Sequence, residues 1–300
     1  MFPIIRSWTC ALIIAGVTPV IAIAANANAQ IPSQYKVADT AKYDASAVRQ
    51  SYVGLAGGLY SNTLGAALAL SNAIDALNKA PKAETLAAAR AAWASARSSY
   101  LATEAFRFYG GPIDGSKNES RAAGPQAAIG ANFLLLERAL AAKTPGNAGQ
   151  HKALANAATA IHNDVAFVLK EWDPTRRTSY ATEFIQLDGA EAIGRILRGL
   201  GMQAANLSHA PTDTRASEAS AVLAGMHSVW HAQLNKITAP SIDALLSKID
   251  ANAAAAVSGA LATAQTQASV KDPVLPATLQ MLALAIANAG TSLGVAISIN

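Results

Sequence analysis

One segment of the sequence, AAWASARSSYLATEAFRF, places charged residues among aromatic ones at helical spacing. At about 100° per residue, five of its side chains fall within a stripe about 80° wide on one helix face. They are Trp93, Arg97, Tyr100, Glu104 and Arg107. Charges beside aromatic rings are partly withdrawn from water and need partners. The stripe therefore predicts either an amphipathic helix whose arginines extend to water or a polar centre inside the protein.

Two further carboxylates could join this centre from neighbouring segments. Asp114 follows in GGPIDG, which ends the helix, and Glu137 lies in the next helical segment. Because Arg97 and Arg107 are nearby, we expect the carboxylates to stay ionised and structural rather than to act as general acids. The predicted polar or ligand-binding centre consists of Arg97, Tyr100, Glu104, Arg107, Asp114 and Glu137, and no residue is predicted to be catalytic.

The remaining residues with the spacing of metal ligands are His227 and His231, in GMHSVWHAQ. Side chains four residues apart lie on one helix face, which is a usable arrangement for two zinc ligands. Ser228 stands where the zinc-protease motif H-E-x-x-H has its glutamate, so the general base is missing. We favour helix packing as the interpretation of this pair and keep a metal site as the alternative.

Two other common catalytic patterns are absent from the sequence. It has no H-E-x-x-H and no phosphate-binding glycine loop. Its net charge at pH 7 is +4, and lysine and arginine form no cluster. These features argue against zinc proteases and nucleotide-binding proteins, and they give no support to nucleic-acid binding.

The first 29 residues have the pattern of a secretory signal peptide. Arg6 precedes an apolar run, and Ala27, Asn28 and Ala29 form an A-x-A cleavage site. Cleavage after Ala29 leaves an N-terminal extension, residues 30–45, and removes the only cysteine. We therefore expect an exported protein, located in the periplasm or at the outer-membrane periphery, that is stabilised by its core without disulfides.

The remaining sequence predicts an all-α protein. Alanine is abundant, strand-like alternation is almost absent, and only 14% of the residues are charged. Proline, glycine and capping residues separate eight predicted helices: 46–79, 83–108, 126–142, 150–171, 178–205, 216–236, 241–266 and 276–297. Short loops favour antiparallel neighbours, so we predict two four-helix bundles packed together, 46–174 and 175–300. Polar residues interrupt the last apolar segment, so we predict a buried helix there and no transmembrane segment after signal cleavage.

The stripe belongs to a longer pattern that resembles a known family. W-x-x-A-R-x-x-Y-x-x-T-E-A-F-R-F followed by G-P-I-D is similar to the first signature of the imelysin-like proteins. These are exported bacterial proteins that include the imelysin peptidases and relatives linked to iron uptake. VLKEWDP and the final LGVAISIN resemble later features of the family. The resemblance implies the two-bundle fold of that family and a connection with iron uptake.

The chemical motif proposed for the family, G-x-H-x-x-E, is degenerate in this chain. Its best counterpart is NFLLLERAL, in which Phe133, Glu137 and Leu140 match. Asn132 stands at the glycine position and Leu134 at the histidine position. Leucine cannot bind a metal ion, so the chain lacks the histidine–glutamate pair that would indicate a metallopeptidase.

Three functions remain open from the sequence. We favour an exported, non-catalytic binding or accessory protein associated with iron or metal uptake. The alternatives are an imelysin-type metallopeptidase and a structural relative of that enzyme with no ligand. The cofactor would be a divalent metal or iron if one is bound. The expected partner is a small ligand, a metal or an envelope protein.

Overall fold

The computed structural model of this chain describes residues 43–107, 111–114, 124–141 and 148–298. The predicted signal peptide and nearly all of the predicted extension, 30–45, lie outside these residues. Most described residues are helical, and the strands found among them form one short hairpin. The prediction of an all-α protein is confirmed.

Ten α-helices follow one another along the described residues. They are α1 (Ser46–Lys79), α2 (Ala83–Ala102), α3 (Gln126–Leu140), α4 (Ala148–Glu171), α5 (Tyr180–Gln186), α6 (Gly189–His209), α7 (Thr212–His231), α8 (Ile242–Ser247), α9 (Ala251–Val270) and α10 (Leu275–Ser292). A 3-10 turn, Thr103–Phe106, follows α2. The hairpin pairs β1 (Gln233–Leu234) with β2 (Ile237–Thr238) in antiparallel fashion.

Capping residues divide two of the predicted helices. The predicted helix 178–205 is two helices, because the carboxylate of Asp188 accepts a hydrogen bond from the backbone N–H of Ala190 and begins α6. The predicted helix 241–266 is divided in the same way, since Asp250 accepts from the backbone N–H of Ala253 and begins α9. Aspartate favours helix starts because it offers the free N–H groups of the first turn an acceptor.

The hairpin explains a third difference from the predicted helices. The helix predicted over 216–236 spans Thr212–His231 instead. Ala232, Asn235 and Lys236 all have positive φ angles, which a continuing right-handed helix does not allow. The chain therefore leaves the helix after His231 and turns through the hairpin.

The helices pack in two groups. In the first group α1 packs along α2 and α4, and α3 packs along α4. In the second group α10 packs along α6 and α9, and α9 packs along α7 and α8. The contact between α2 and α7 joins the groups. The domain boundary near residue 175 stays a prediction, because packing alone does not separate folding units.

An aromatic cluster in the core anchors the 3-10 turn. The ring centre of Tyr52, on α1, lies 5.0 Å from the ring centres of Phe106 and Phe184 and 5.8 Å from that of Trp172. These four side chains are buried. Aromatic pairs at such separations stabilise a core beyond the area that they bury. Phe106, whose ring centre also lies 6.0 Å from that of Trp172, thus fixes the turn against α1 and the residue that follows α4.

The helices α1 and α10 both contribute to the core. α10 packs along α6 and α9 and buries Leu279, Leu282 and Ile286, while Met281 and Leu284 stay exposed. Among the described helices, α1 is the one that is long and apolar enough to cross a membrane by length and composition. Its buried side chains and its contacts with α2 and α4 are those of a core helix in this fold.

Candidate functional site

The end of α2 determines where Glu104 and Arg107 lie. The predicted helix 83–108 stops as an α-helix at Ala102 and continues as the 3-10 turn. The hydroxyl of Thr103 donates to the carbonyl oxygen of Tyr100 at 2.7 Å, and the backbone N–H of Arg107 donates to the carbonyl oxygen of Glu104 at 3.1 Å. Such bonds tighten the last turn of a helix. Both charged residues therefore extend from one compact turn.

Arg107 bridges two carboxylates beside this turn. Its Nη1 atom lies 3.0 Å from Oε2 of Glu104, and its Nε atom donates to Oδ1 of Asp114 at 2.8 Å. Nε2 of Gln203, on α6, donates to the same oxygen of Glu104 at 3.4 Å. The side chains of Glu104, Arg107 and Asp114 are only 12%, 17% and 10% exposed. The resulting network, here called the Arg107 network, connects the turn to α6 and to residues 111–114.

Burial changes the protonation equilibria within the Arg107 network. Burial raises the pKa of Glu104, and the charge of Arg107 offsets only part of that effect. Burial alone would lower the pKa of Arg107, but the charges of Glu104 and Asp114 outweigh it and raise that pKa. The sequence analysis expected no raised carboxyl pKa, and Glu104 departs from that expectation because the docking of α6 helps to bury it.

Arg97 has partners outside the Arg107 network. It forms an ion pair with Glu218 of α7. Its guanidinium carbon lies 5.5 Å from the ring centre of Phe133 and 5.9 Å from that of Tyr100, within the range of cation–π contacts. Arg97 therefore joins α2 to α3 and α7.

Three buried phenols lie near the Arg107 network. The hydroxyls of Tyr52, Tyr60 and Tyr100 and the Oδ2 atom of Asp114 have no hydrogen-bond partner among the described residues. Thr103 lies beside the Tyr60 hydroxyl but outside hydrogen-bonding geometry. Burial raises the pKa of all three phenols. The charge of Glu104 adds to this effect at Tyr60 and Tyr100, and the charge of Asp114 adds to it at Tyr52 and Tyr60. The phenols are therefore neutral at physiological pH. We call them and the free oxygen of Asp114 the tyrosine cluster.

The sequence analysis missed several residues of this region. Tyr52 and Tyr60 are eight residues apart on α1, about 80° around the helix, so their shared face was a detectable signal. Gln203 and Glu218 carried no such signal. They belong to the second group of helices and reach the first group only through tertiary packing.

The structure corrects the placement of Glu137. Phe133, Leu136 and Leu140 face the core from α3, which leaves Glu137 exposed. Within the described part of the chain, the Glu137 side chain makes no hydrogen bond or ion pair with Glu104, Arg107 or Asp114. Of the three carboxylates predicted to converge, those of Glu104 and Asp114 do so.

Leu134, at the histidine position of the family motif, also lies away from the polar centre. Its side chain is 44% exposed and lines an open groove of about 580 Å³ between α3 and α4. The groove is lined by Ala131, Leu134, Leu135, Arg138, Ala139, Gln150, Ala153 and Leu154. It includes no residue of the Arg107 network or the tyrosine cluster.

His227 and His231 are in contact on α7, with ring centres 4.5 Å apart. Nδ1 of His231 lies 3.3 Å from Oδ2 of Asp243, at the start of α8. Burial and then the proximity of His231 lower the pKa of His227. In the described ranges, no group of three or more histidine, cysteine, aspartate or glutamate side chains is placed to hold a metal ion.

Comparison with known families identifies the first half of the helical region. Residues 59–151 match the family model of Imelysin, peptidase family M75. This range runs from the middle of α1 to the start of α4 and contains both the stripe on α2 and the 3-10 turn. No curated protein sequence matches the chain.

Two solved structures extend the likeness over most of the chain. An imelysin-like protein from Psychrobacter arcticum has a TM-score of 0.59 and 16% identity, with 87% of this chain and 100% of that chain covered. A candidate iron-regulated protein A precursor from Parabacteroides distasonis has a TM-score of 0.57 and 16% identity, with 86% and 96% covered. At this identity the structures establish a shared fold. The family match over residues 59–151 and the shared fold over most of the chain together support the resemblance to the imelysin-like family.

Proposed function

We propose that this chain is an exported, non-catalytic binding or accessory protein associated with iron or metal uptake. The family match supports the proposal, and one protein of the same fold is described as an iron-regulated protein precursor. The observation that carries it is the tyrosine cluster, a set of buried polar groups that the described chain leaves unpaired. Buried polar groups in folded proteins are almost always hydrogen-bonded. We therefore assign the cluster to the binding of a small molecule.

The chemistry of the cluster indicates the class of that molecule. The neutral phenols of Tyr52, Tyr60 and Tyr100 can donate hydrogen bonds, and Oδ2 of Asp114 can accept one. A matching ligand is a small polar organic molecule that has both acceptor and donor groups. The Arg107 network beside the cluster holds these groups in place through its own ion pairs.

The same groups do not fit an iron ion. Tyrosine would bind iron as the phenolate, and metal ligands must lose their protons. Burial raises the pKa of these phenols and so opposes the loss of their protons. The proposed association with metal uptake therefore depends on an organic ligand, an envelope partner or a metal bound elsewhere on the chain.

Two alternatives remain. The imelysin-type metallopeptidase would need a catalytic ligand other than Leu134, which replaces the motif histidine and lies in the groove between α3 and α4. The structural relative without a ligand is favoured by the Arg107 network itself, because Arg107 forms ion pairs with both Glu104 and Asp114 and all three side chains are nearly closed to solvent.

The experiment compares mature protein with the double variant Tyr52→Phe, Tyr100→Phe, both purified from the periplasm. Native mass spectrometry and metal analysis identify what each protein carries, and thermal melts measure stability before and after removal of small molecules. A ligand at one hundred times its dissociation constant stabilises a protein by about 2.7 kcal/mol. We expect the double variant to lose the bound molecule and its stabilisation. The stripped proteins should be equally stable, since removing an unpaired buried hydroxyl costs little.

Tyr43→Phe is the matched control, because its hydroxyl donates to the carbonyl oxygen of Leu293 outside the cluster. It should keep the bound molecule. Mature protein that carries no molecule, together with unchanged melts for all variants, would instead support the structural relative. A stoichiometric metal that is lost on Asp114→Asn would contradict the organic-ligand proposal and justify a peptidase assay.

A further inference from the structure

We propose that His227 and His231 form a binding site for one divalent late-transition-metal ion, with Cu²⁺ bound most tightly. The two imidazoles lie one helical turn apart with ring centres separated by 4.5 Å. Two imidazoles that share one ion through bonds of about 2.0–2.1 Å, at an angle of about 90–110°, have ring centres roughly 4.5–5 Å apart. The observed separation of the ring centres is within the range that a chelating pair requires.

Asp243 orients one of the two rings. Its Oδ2 atom lies 3.3 Å from Nδ1 of His231, which directs the N–H of that nitrogen toward the carboxylate and leaves Nε2 for a metal. Oδ1 of Asp243 accepts a hydrogen bond from the Ser258 hydroxyl at 3.1 Å, and that hydroxyl accepts one from the indole of Trp230 at 2.8 Å. Because Trp230 is fully buried, these two hydrogen bonds anchor the Asp243 carboxylate to the core.

The coordination available at this pair determines the kind of ion. The described residues contain no third histidine, cysteine or acidic side chain placed to complete a metal-binding group, so water fills the other positions. His231 is one-quarter exposed, which gives the ion access to the pair. Among divalent ions Cu²⁺ has the highest affinity for nitrogen ligands, and its tetragonal geometry suits two imidazoles and two waters. The site is separate from the tyrosine cluster and does not depend on a ligand bound there.

The test uses mature full-length protein titrated with CuSO₄, followed by ZnCl₂ and NiCl₂, in a calorimeter. Electron paramagnetic resonance of the Cu²⁺ complex counts the nitrogen ligands. We expect one Cu²⁺ per chain with two nitrogen ligands and weaker binding of Ni²⁺ and Zn²⁺. His227→Gln and His231→Gln should each remove this binding step. Asp243→Asn should keep the stoichiometry and weaken affinity by about 10–100-fold, as expected for a positioning residue.

His209→Gln is the control, because it changes an exposed histidine at the end of α6. Its titration should match that of the parent, and metal-free melts should show that every variant is folded. Absence of stoichiometric Cu²⁺ binding in the parent would overturn the proposal. Binding that persists in either His227→Gln or His231→Gln would also overturn it, since the ion would then be held elsewhere, for example at the chain's amino terminus.

Discussion

At the scale of single residues, Arg107 is the one cation placed between two buried carboxylates in the described polar centre. Arg107→Met keeps a long apolar side chain but leaves Glu104 and Asp114 without their counter-charge. Breaking a buried ion pair from one side costs about 3–5 kcal/mol. We expect a loss of that size in the free energy of unfolding, measured by urea denaturation at pH 7.

An exposed ion pair provides the control for this loss. Glu191 pairs with Arg195 one turn away on α6, and its side chain is half exposed. Glu191→Gln should change the free energy of unfolding by about 0–1 kcal/mol, as exposed pairs contribute little. Equal losses for Arg107→Met and Glu191→Gln would mean that the Arg107 network is exposed in solution.

Glu104 is expected to make stability depend on pH. Because burial raises its pKa above the ordinary value of 4.5, the folded state holds this proton more tightly than the unfolded state. The stability that this proton contributes is complete below pH 4.5 and is lost as the pH rises from there through the raised pKa. Glu104→Gln stays uncharged and keeps an acceptor for Arg107, so it should not show this loss.

Melting temperatures of the parent and Glu104→Gln, compared between pH 4 and pH 8, measure this effect. As the pH rises, the melting temperature of Glu104→Gln should increase relative to that of the parent. The contributions of all other titrating groups are shared by the two proteins and cancel in this difference. A difference that stays constant, or that shifts toward the parent, would show that the charge of Arg107 outweighs the burial of Glu104.

At the scale of elements, the contact between α2 and α7 joins the two groups of helices at a glycine. A Cβ atom added to Gly225 would collide with the backbone carbonyl of Ala102, which cannot move aside like a flexible side chain. Gly225→Ala should therefore separate α7 from α2 and strain the ion pair between Arg97 and Glu218. Overpacking of this kind costs about 1–3 kcal/mol, which chemical denaturation would detect.

Gly259 on α9 is the matched control for Gly225. Among the described residues, no atom from outside the surrounding turns of α9 lies within 4 Å of the Cβ that alanine would add there. Since alanine is favoured over glycine within a helix by about 0.5–1 kcal/mol, Gly259→Ala should stabilise the protein. If both variants were stabilised, the close approach of α2 and α7 would not exist in solution.

The sequence predicted the existence of the helices better than their ends. Residues 46–79 were predicted as one helix and form α1, because helix-forming composition and apolar spacing are local properties. The divisions at Asp188 and Asp250 were missed, since aspartate occurs both within helices and at their starts. The choice depends on whether the following segment must change direction to reach its packing partner, which local composition does not encode.

At the scale of the whole molecule, the two ends of the described chain meet. The hydroxyl of Tyr43 donates to the carbonyl oxygen of Leu293, 250 residues away. Beyond Leu293, Val295 and Ile297 occupy the space that side chains at Gly194 and Gly290 would fill. The C-terminal residues therefore close the surface between α6 and α10.

Removing residues 295–300 should expose this surface. The loss of the contacts of Val295 and Ile297 is expected to cost about 1–3 kcal/mol. For a chain of this size, each kcal/mol lowers the melting temperature by about 2–4 °C, which calorimetry would measure. A shorter deletion, 298–300, keeps both apolar residues and should leave the melting temperature unchanged. An unaltered melt for the longer deletion would show that the tail does not pack.

The sequence by itself determined the all-α class, the imelysin-like resemblance and the placement of Glu104 and Arg107 in one polar centre, because composition, motif and helical spacing act over short stretches of chain. Only the tertiary structure decided which distant residues the charged side chains of this polar centre contact. Arg97 pairs with Glu218, 121 residues away, and Gln203 reaches Glu104 across 99 residues. Glu137 was expected in the polar centre and is exposed instead, because the docking of α3 turns its apolar face inward. Such partners follow from how helices pack, and packing depends on the shapes of all the faces at once.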